Sequence, residues 1–127
     1  TEGGDYDKLG RGAIWDGQIA NCIHQNHVFR VRVDRNRLDP KYFTYFLQTP
    51  FARRYFLRCA KRTTNLASIN MTQLKALPVP LPPVALQREF VRRVEAVEQQ
   101  IAQYRVSLAQ LESLYASLQH RAFRGEL

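Results

Sequence analysis

A heptad repeat in the last third of the chain limits its fold more than any other feature. Phe90, Val94, Val97, Ile101, Tyr104, Leu108, Leu111, Tyr115, Leu118 and Ala122 follow one another at alternating spacings of four and three, and all are apolar. A stripe with a period of 3.5 residues drifts around a straight α-helix. It stays in register only if the helix supercoils with a partner. From Phe90 to Ala122 such a rod measures roughly 50 Å at about 1.5 Å per residue. The residues upstream are too few to cover a seam of that length. A second helix must do so, supplied by another part of a longer natural chain or by another chain.

The rod has a clear upstream limit. Leu77-Pro78-Val79-Pro80-Leu81-Pro82-Pro83 carries four prolines, each without a backbone donor. Helix and central strand are both excluded there, and the segment runs extended. We therefore expect a globular part over residues 1–83, ending in a proline-rich boundary at 77–83, and a long helix with its tail over 84–127.

The globular part reads as α+β, with short strands and two or three short helices. Residues 1–12 form a glycine-rich loop punctuated by Gly3-Gly4 and Gly10-Arg11-Gly12. Residues 13–33 read as strands, because Phe29, Val31 and Val33 alternate with Arg30 and Arg32. Asp39-Pro40 and Thr49-Pro50 each pair a capping side chain with a proline at the first helical position, so each starts a helix. The first buries a stripe of Tyr42, Phe43, Phe46 and Leu47. The second carries Phe51, Tyr55, Phe56 and Cys59 on one side, with Arg53, Arg54, Arg58, Lys61 and Arg62 among them. Residues 63–70 are short-chained and polar and suit a surface loop. Thr72–Lys75 can close one further helical turn. The chain opens on a turn-rich stretch without an initiator Met, and we read it as part of a longer protein.

Charge narrows the partners. The formal net charge is +8, and residues 1–62 hold twelve basic against six acidic side chains. The excess lies in the globular part, while the long helix is nearly balanced. Such a surface favours a polyanion: DNA, RNA or an anionic membrane. No apolar run is long enough to cross a membrane, and no signal-peptide pattern is present. Two cysteines, Cys22 and Cys59, are too few for a disulfide framework, which suits reduced thiols in the cytoplasm.

Catalytic and metal motifs are weak. Cys22-x-His24-x-x-His27 has ligand residue types but no second cluster to complete a zinc site, so we assign no metal. Asp5-x-Asp7 sits in a glycine-rich turn, where acids are ordinarily solvated. No phosphate-cradling Gly-x-x-x-x-Gly-Lys motif occurs. No catalytic residue is assigned. Contact with nucleic acid is better founded, because arginine grips phosphate bidentately and reads guanine edges. The candidate contacts are Lys8, Arg11, Arg54, Lys61 and Arg62, with Arg11, Arg54 and Arg62 foremost for phosphate. Polar loop residues that could meet bases are His24, Gln25, Asn26, His27, Thr63, Thr64 and Asn65.

Several of these stretches resemble a known family, the specificity (S) subunits of type I restriction-modification systems. The resemblance rests on Thr63-Thr64-Asn65-Leu66-Ala67-Ser68-Ile69-Asn70 and on Leu74-Lys75-Ala76-Leu77 with the proline segment after it. It continues through Leu86-Gln87-Arg88-Glu89-Phe90-Val91, the heptad helix and the tail Ala122-Phe123-Arg124-Gly125-Glu126-Leu127. Glu2-Gly3-Gly4, Leu9-Gly10-Arg11 and Cys22–His27 are also similar to the interior of that family's recognition domains. The resemblance implies a partial target-recognition domain joined to one long helix of an antiparallel coiled coil. It implies a non-catalytic subunit that reads half of a split site in double-stranded DNA and docks methyltransferase (M) and restriction (R) subunits. The cofactors S-adenosylmethionine and ATP/Mg belong to those partners. The second long helix would come from the same family, and the chain alone would pair with itself. The alternative is a basic coiled-coil interaction module that binds a protein or an anionic surface without reading DNA sequence.

Overall fold

The computed structural model describes residues 3–4, 8–62 and 67–127, with the side chain of Arg62 left aside. The chain forms two units, Thr1–Glu89 and Phe90–Leu127. No helix is long and apolar enough to cross a membrane among the described residues.

The first unit is built on two helices whose starts were legible in the sequence. α1 covers Pro40–Leu47 and α2 covers Pro50–Cys59. Asp39 caps α1, accepting from the backbone N–H groups of Lys41 and Tyr42, and Thr49 caps α2 through the N–H of Ala52. These bonds satisfy donors that a helix start otherwise leaves orphaned. Phe46 of α1 and Ala52 and Phe56 of α2 are buried together with Leu9, Ala67, Ile69 and Leu77.

A small sheet completes the core. β1 (Gly3–Gly4), β2 (Lys61–Arg62) and β3 (Ala67–Ser68) pair antiparallel in the order β1-β3-β2. Gly3 and Lys61 both face Ser68, and Gly4 and Arg62 both face Ala67. Three expectations are corrected here. Gly3-Gly4 pairs as a strand rather than belonging wholly to a loop. Residues 67–70 are not a surface loop, since Ala67 and Ile69 are buried and Ser68 is exposed. That period of two follows from the pleat, which sends alternate side chains to opposite faces. Lys61 and Arg62 also leave the helix, because α2 stops at Cys59 and Ala60 is already extended.

The strands expected over residues 13–33 do not form. A strand needs a neighbouring edge for its backbone groups. The backbone bonds found in this stretch and just after it close turns instead. Val28 N–H donates to Gln25 O (3.1 Å), and the N–H groups of Arg37 and Leu38 donate to Asp34 O. The alternation still has a residue of meaning: Phe29 packs against the core and Val33 is half-buried, but Val31 stays 47% exposed.

α3 (Met71–Lys75) starts at a capping box. Asn70 Oδ1 accepts from Gln73 N–H, and Gln73 Oε1 accepts from Asn70 N–H. Gln73 Nε2 also donates to the carbonyl of Cys59, and Tyr55 OH donates to Gln73 O at 2.8 Å. The short helix is thus tied to the end of α2. Residues 77–83 carry no helix or strand, as their prolines require. α4 follows as one continuous helix, Val84–Phe123, about 60 Å long at 1.5 Å per residue.

Candidate nucleic-acid interface

α2 is two-sided. Ala52 and Phe56, one turn apart, are 0% and 1% exposed. Arg54 and Arg58 each follow by two residues, which rotates them about 200° around the helix. Both are exposed, as is Arg53. The helix contains no acidic residue. Three guanidinium groups therefore stand on its solvent side, and their mutual repulsion is relieved when a polyanion approaches. Lys61, also exposed, continues the cationic surface past the helix end.

Gly10 governs how Arg11 is presented. Its φ is +70°, and a Cβ there would overlap the ring of Phe56. Only glycine combines that left-handed backbone with so close an approach. Arg11 is exposed and borders a shallow apolar recess with Gly12, Phe29, Phe43, Leu47 and Leu74. Lys8, on the other side of Leu9-Gly10, is exposed as well.

The polar stretch His24–His27 lies in an exposed turn between residues 21 and 28. Asn21 adopts φ +53°, and His24 Nδ1 stands 3.1 Å from the carbonyl of Gln25. Local geometry shapes the turn, so its base-reading candidates are displayed to solvent rather than fixed on the core. Among the described residues, no three His, Cys, Asp or Glu side chains gather as a metal site. Thr63, Thr64 and Asn65 lie outside the described residues, as do Asp5, Asp7 and the Arg62 side chain.

Tyr55 and Cys59 are one turn apart beneath this surface. Burial raises the Tyr55 phenol above its ordinary value, with the Cys59 thiol adding to the effect. Burial also raises the Cys59 thiol, against the opposing pull of a backbone hydrogen bond and Arg58. Both are held neutral and serve packing.

The heptad seam forms the second candidate surface. Val97 is 53% exposed, Tyr104 73%, Leu108 56%, Leu111 62% and Tyr115 64%. Monomeric proteins seldom leave so long an apolar stripe open.

Three residues escaped the sequence reading of the site. Arg53 and Arg58 carry as much of the α2 surface as Arg54. The i, i+4 spacing of Arg54 and Arg58, opposite Ala52 and Phe56, is the signal that marks them. Gln87 is the third. It is fully buried, and its amide joins three separate backbone groups, Asp39 N–H, Arg37 O and Pro82 O.

Residues 10–113 match the family described as the type I restriction modification DNA specificity domain. The chain belongs to that family. Its sequence is 34% identical over 117 residues to the type I restriction enzyme EcoKI specificity subunit of Escherichia coli K12, covering 87% of this chain and 24% of the relative. It is 33% identical over 109 residues to the StySPI specificity subunit of Salmonella potsdam, covering 80% and 23%. The chain thus spans about a quarter of the length of these specificity subunits. No solved structure gives a significant match. The resemblance read from the proline segment and the heptad helix is therefore membership of the specificity family.

Proposed function

We propose that this chain is a portion of a type I specificity subunit that reads one half of a split site in double-stranded DNA. In this reading residues 1–83 form the reading head, bounded by the proline segment at 77–83, and residues 84–127 form the spacer and docking helix. The cationic face of α2 grips phosphates and fixes the register. The exposed turn at His24–His27 and the Thr63–Asn65 stretch meet base edges. Backbone contacts position and base contacts specify, so the two groups have separate tasks.

The chain itself performs no chemistry. It docks the methyltransferase subunits, which bring S-adenosylmethionine, and through them the restriction subunit, which brings ATP and Mg²⁺. The assembly works in the cytoplasm. The heptad seam pairs with a second long helix of the same family, antiparallel, and the isolated chain pairs with a second copy of itself. Helix length then sets the distance between the two half-sites.

The family match over residues 10–113, coinciding with an acid-free arginine face on α2, carries this reading. Footprinting tests it. With its methyltransferase subunit present, the chain is expected to protect a discrete sequence. Equal protection of random DNA, or equal binding to anionic vesicles at matched salt, refutes it and favours a basic interaction module.

A further inference from the structure

From Arg11 to Val28 every residue is exposed. The hydrogen bonds of Cys22, His24 and the Val28 N–H join only neighbours in sequence. Trp15, the chain's only tryptophan, lies within this stretch and is 56% exposed. Among the described residues its indole makes no hydrogen bond and no ring contact. Ile14 beside it is 37% exposed and widens the apolar surface. Gly17, at φ +77° with open space where a Cβ would stand, turns the backbone two residues later without adding a side chain. A large flat ring held in water gains from contact with a partner.

Charge and polarity say which partner. From Lys8 to Val33 the exposed cations Lys8, Arg11, Arg30 and Arg32 stand against Asp16 alone. That balance draws a polyanion to the segment. Between Ile19 and Val28 lie Asn21, His24, Gln25, Asn26 and His27. Their amides and imidazoles find donors and acceptors on base edges, whereas a bilayer would leave them unpaired. DNA is favoured over an anionic membrane.

We propose that Trp15 inserts into the base stack of the bound duplex, opening one base step and stacking on the base face it exposes. This rests on the DNA reading proposed above. A duplex turns phosphates and polar base edges outward, and its large apolar surfaces are the base faces inside the stack. An indole has one N–H donor, so it neither neutralises a phosphate nor reads an edge bidentately. Its flat face does match a base face. Opening a step gives up base stacking, and the aromatic contact returns part of it. The opening is easiest at TA and CA/TG steps, which unstack readily. Trp15 thus selects for a flexible step without touching a base edge, which is a different task from that of the arginines of α2.

The emission of Trp15 tests this, with binding read separately by the anisotropy of a labelled duplex. A duplex with 2-aminopurine in place of the adenine of its TA steps serves as the probe. As the chain binds, Trp15 emission should be quenched and shielded from iodide, and 2-aminopurine emission should rise as its base unstacks. Trp15→Ala should abolish that rise and weaken binding to this duplex roughly tenfold, with much less effect on a stiff A-tract duplex. The salt slope should stay the same, because no phosphate contact is lost. Trp15→Phe should restore most of the binding, and Ile23→Ala, on the same stretch, should leave it unchanged. Binding with Trp15 emission and iodide access unaltered overturns the insertion and leaves the DNA reading intact. So does an equal loss by Trp15→Ala on both duplexes. In the complete subunit, the difference between parent and Trp15→Phe emission isolates this indole. Shielding from iodide before DNA is added would mean that the rest of the protein covers it, and overturns the insertion. A chain that binds no duplex, or whose Trp15 brightens and shifts to the blue only on phosphatidylserine vesicles, overturns the DNA reading itself.

Discussion

The side chain of Gln87, in the first turn of α4, accepts a 2.8 Å hydrogen bond from the backbone N–H of Asp39, the residue that caps α1. Gln87 is 0% exposed, and its Nε2 donates to Arg37 O at 2.9 Å and to Pro82 O at 2.7 Å. One amide thus satisfies three backbone groups from two distant segments. It also holds the start of α1, the end of the proline segment and the start of α4 together. Neither a carboxylate nor an alkyl chain can copy this, because the site needs two donors and one acceptor on a single planar group.

Gln87→Met keeps the volume and removes all three bonds. Each buried backbone group left without a partner costs about 1–3 kcal/mol. We expect a loss of roughly 3 kcal/mol, read as a lowered urea midpoint of the first unit. Gln87→Glu should be worse, because it buries a charge against two carbonyl oxygens. A midpoint for Gln87→Met equal to that of the parent chain would show that the tie contributes nothing.

Gly10→Ala tests the approach of the 8–12 segment to α2. The added Cβ meets the Phe56 ring, and the backbone at φ +70° is strained for any L side chain. The expected loss is on the order of 3 kcal/mol, since the ring is wedged in the core and cannot retreat. Gly125 has φ +72° with open space around it, so Gly125→Ala serves as the control. It should cost about 1 kcal/mol at most, from backbone strain alone. Equal effects of the two substitutions would mean that Phe56 imposes no close contact.

The arginine face of α2 makes a prediction in salt. Arg54→Gln and Arg58→Gln should each weaken DNA binding similarly on any sequence. Each should also reduce the slope of log K against log salt by about 1, as expected for a lost phosphate contact. Because both side chains are exposed, neither change should move the thermal midpoint by much. An unchanged salt slope for both would remove α2 from the interface.

Alkaline pH should loosen the first unit through Tyr55 and Cys59. Burial raises both groups above their ordinary values of 10.0 and 9.0, so the folded chain keeps these protons longer than the unfolded chain does. Stability falls wherever the folded state binds more protons, as pH rises. Their contribution is therefore complete below pH 9.0 and declines as pH rises through 9.0 and then 10.0. Urea midpoints measured across this range should fall, and Cys59→Ala should flatten the first part of the decline. A profile unaffected by that substitution would show that the thiol titrates alike in both states.

Local chemistry was legible in the sequence, and long-range partnership was not. Asp39-Pro40 and Thr49-Pro50 announced α1 and α2 because a cap and a proline act within one turn. The heptads announced α4 because periodicity is intrinsic to a helix. The Phe29–Val33 alternation promised a strand, but a strand exists only with a neighbour, and no local pattern shows whether one comes. Ala67 and Ile69 looked like part of a polar loop until β1 and β2 flanked them. Gln87 reads as one polar residue on a helix, and its partners lie 48 and 50 positions away. At the site, the arginines of α2 could be seen but not sorted. All three turn out to face solvent, which depends on which side Phe56 buries.

The seam supplies the last test, and it separates association from folding. Ile101 and Leu108 are both exposed in the single chain, so neither supports the core of the first unit. Ile101→Lys with Leu108→Lys places two charges in two layers of the proposed pairing. Burying an unpaired ammonium costs several kcal/mol. The double variant should sediment as a monomer at concentrations where the parent chain is dimeric. The urea transition of the first unit should be unchanged, because its core residues are untouched. A variant that stays dimeric would place the contact elsewhere than on the heptad stripe.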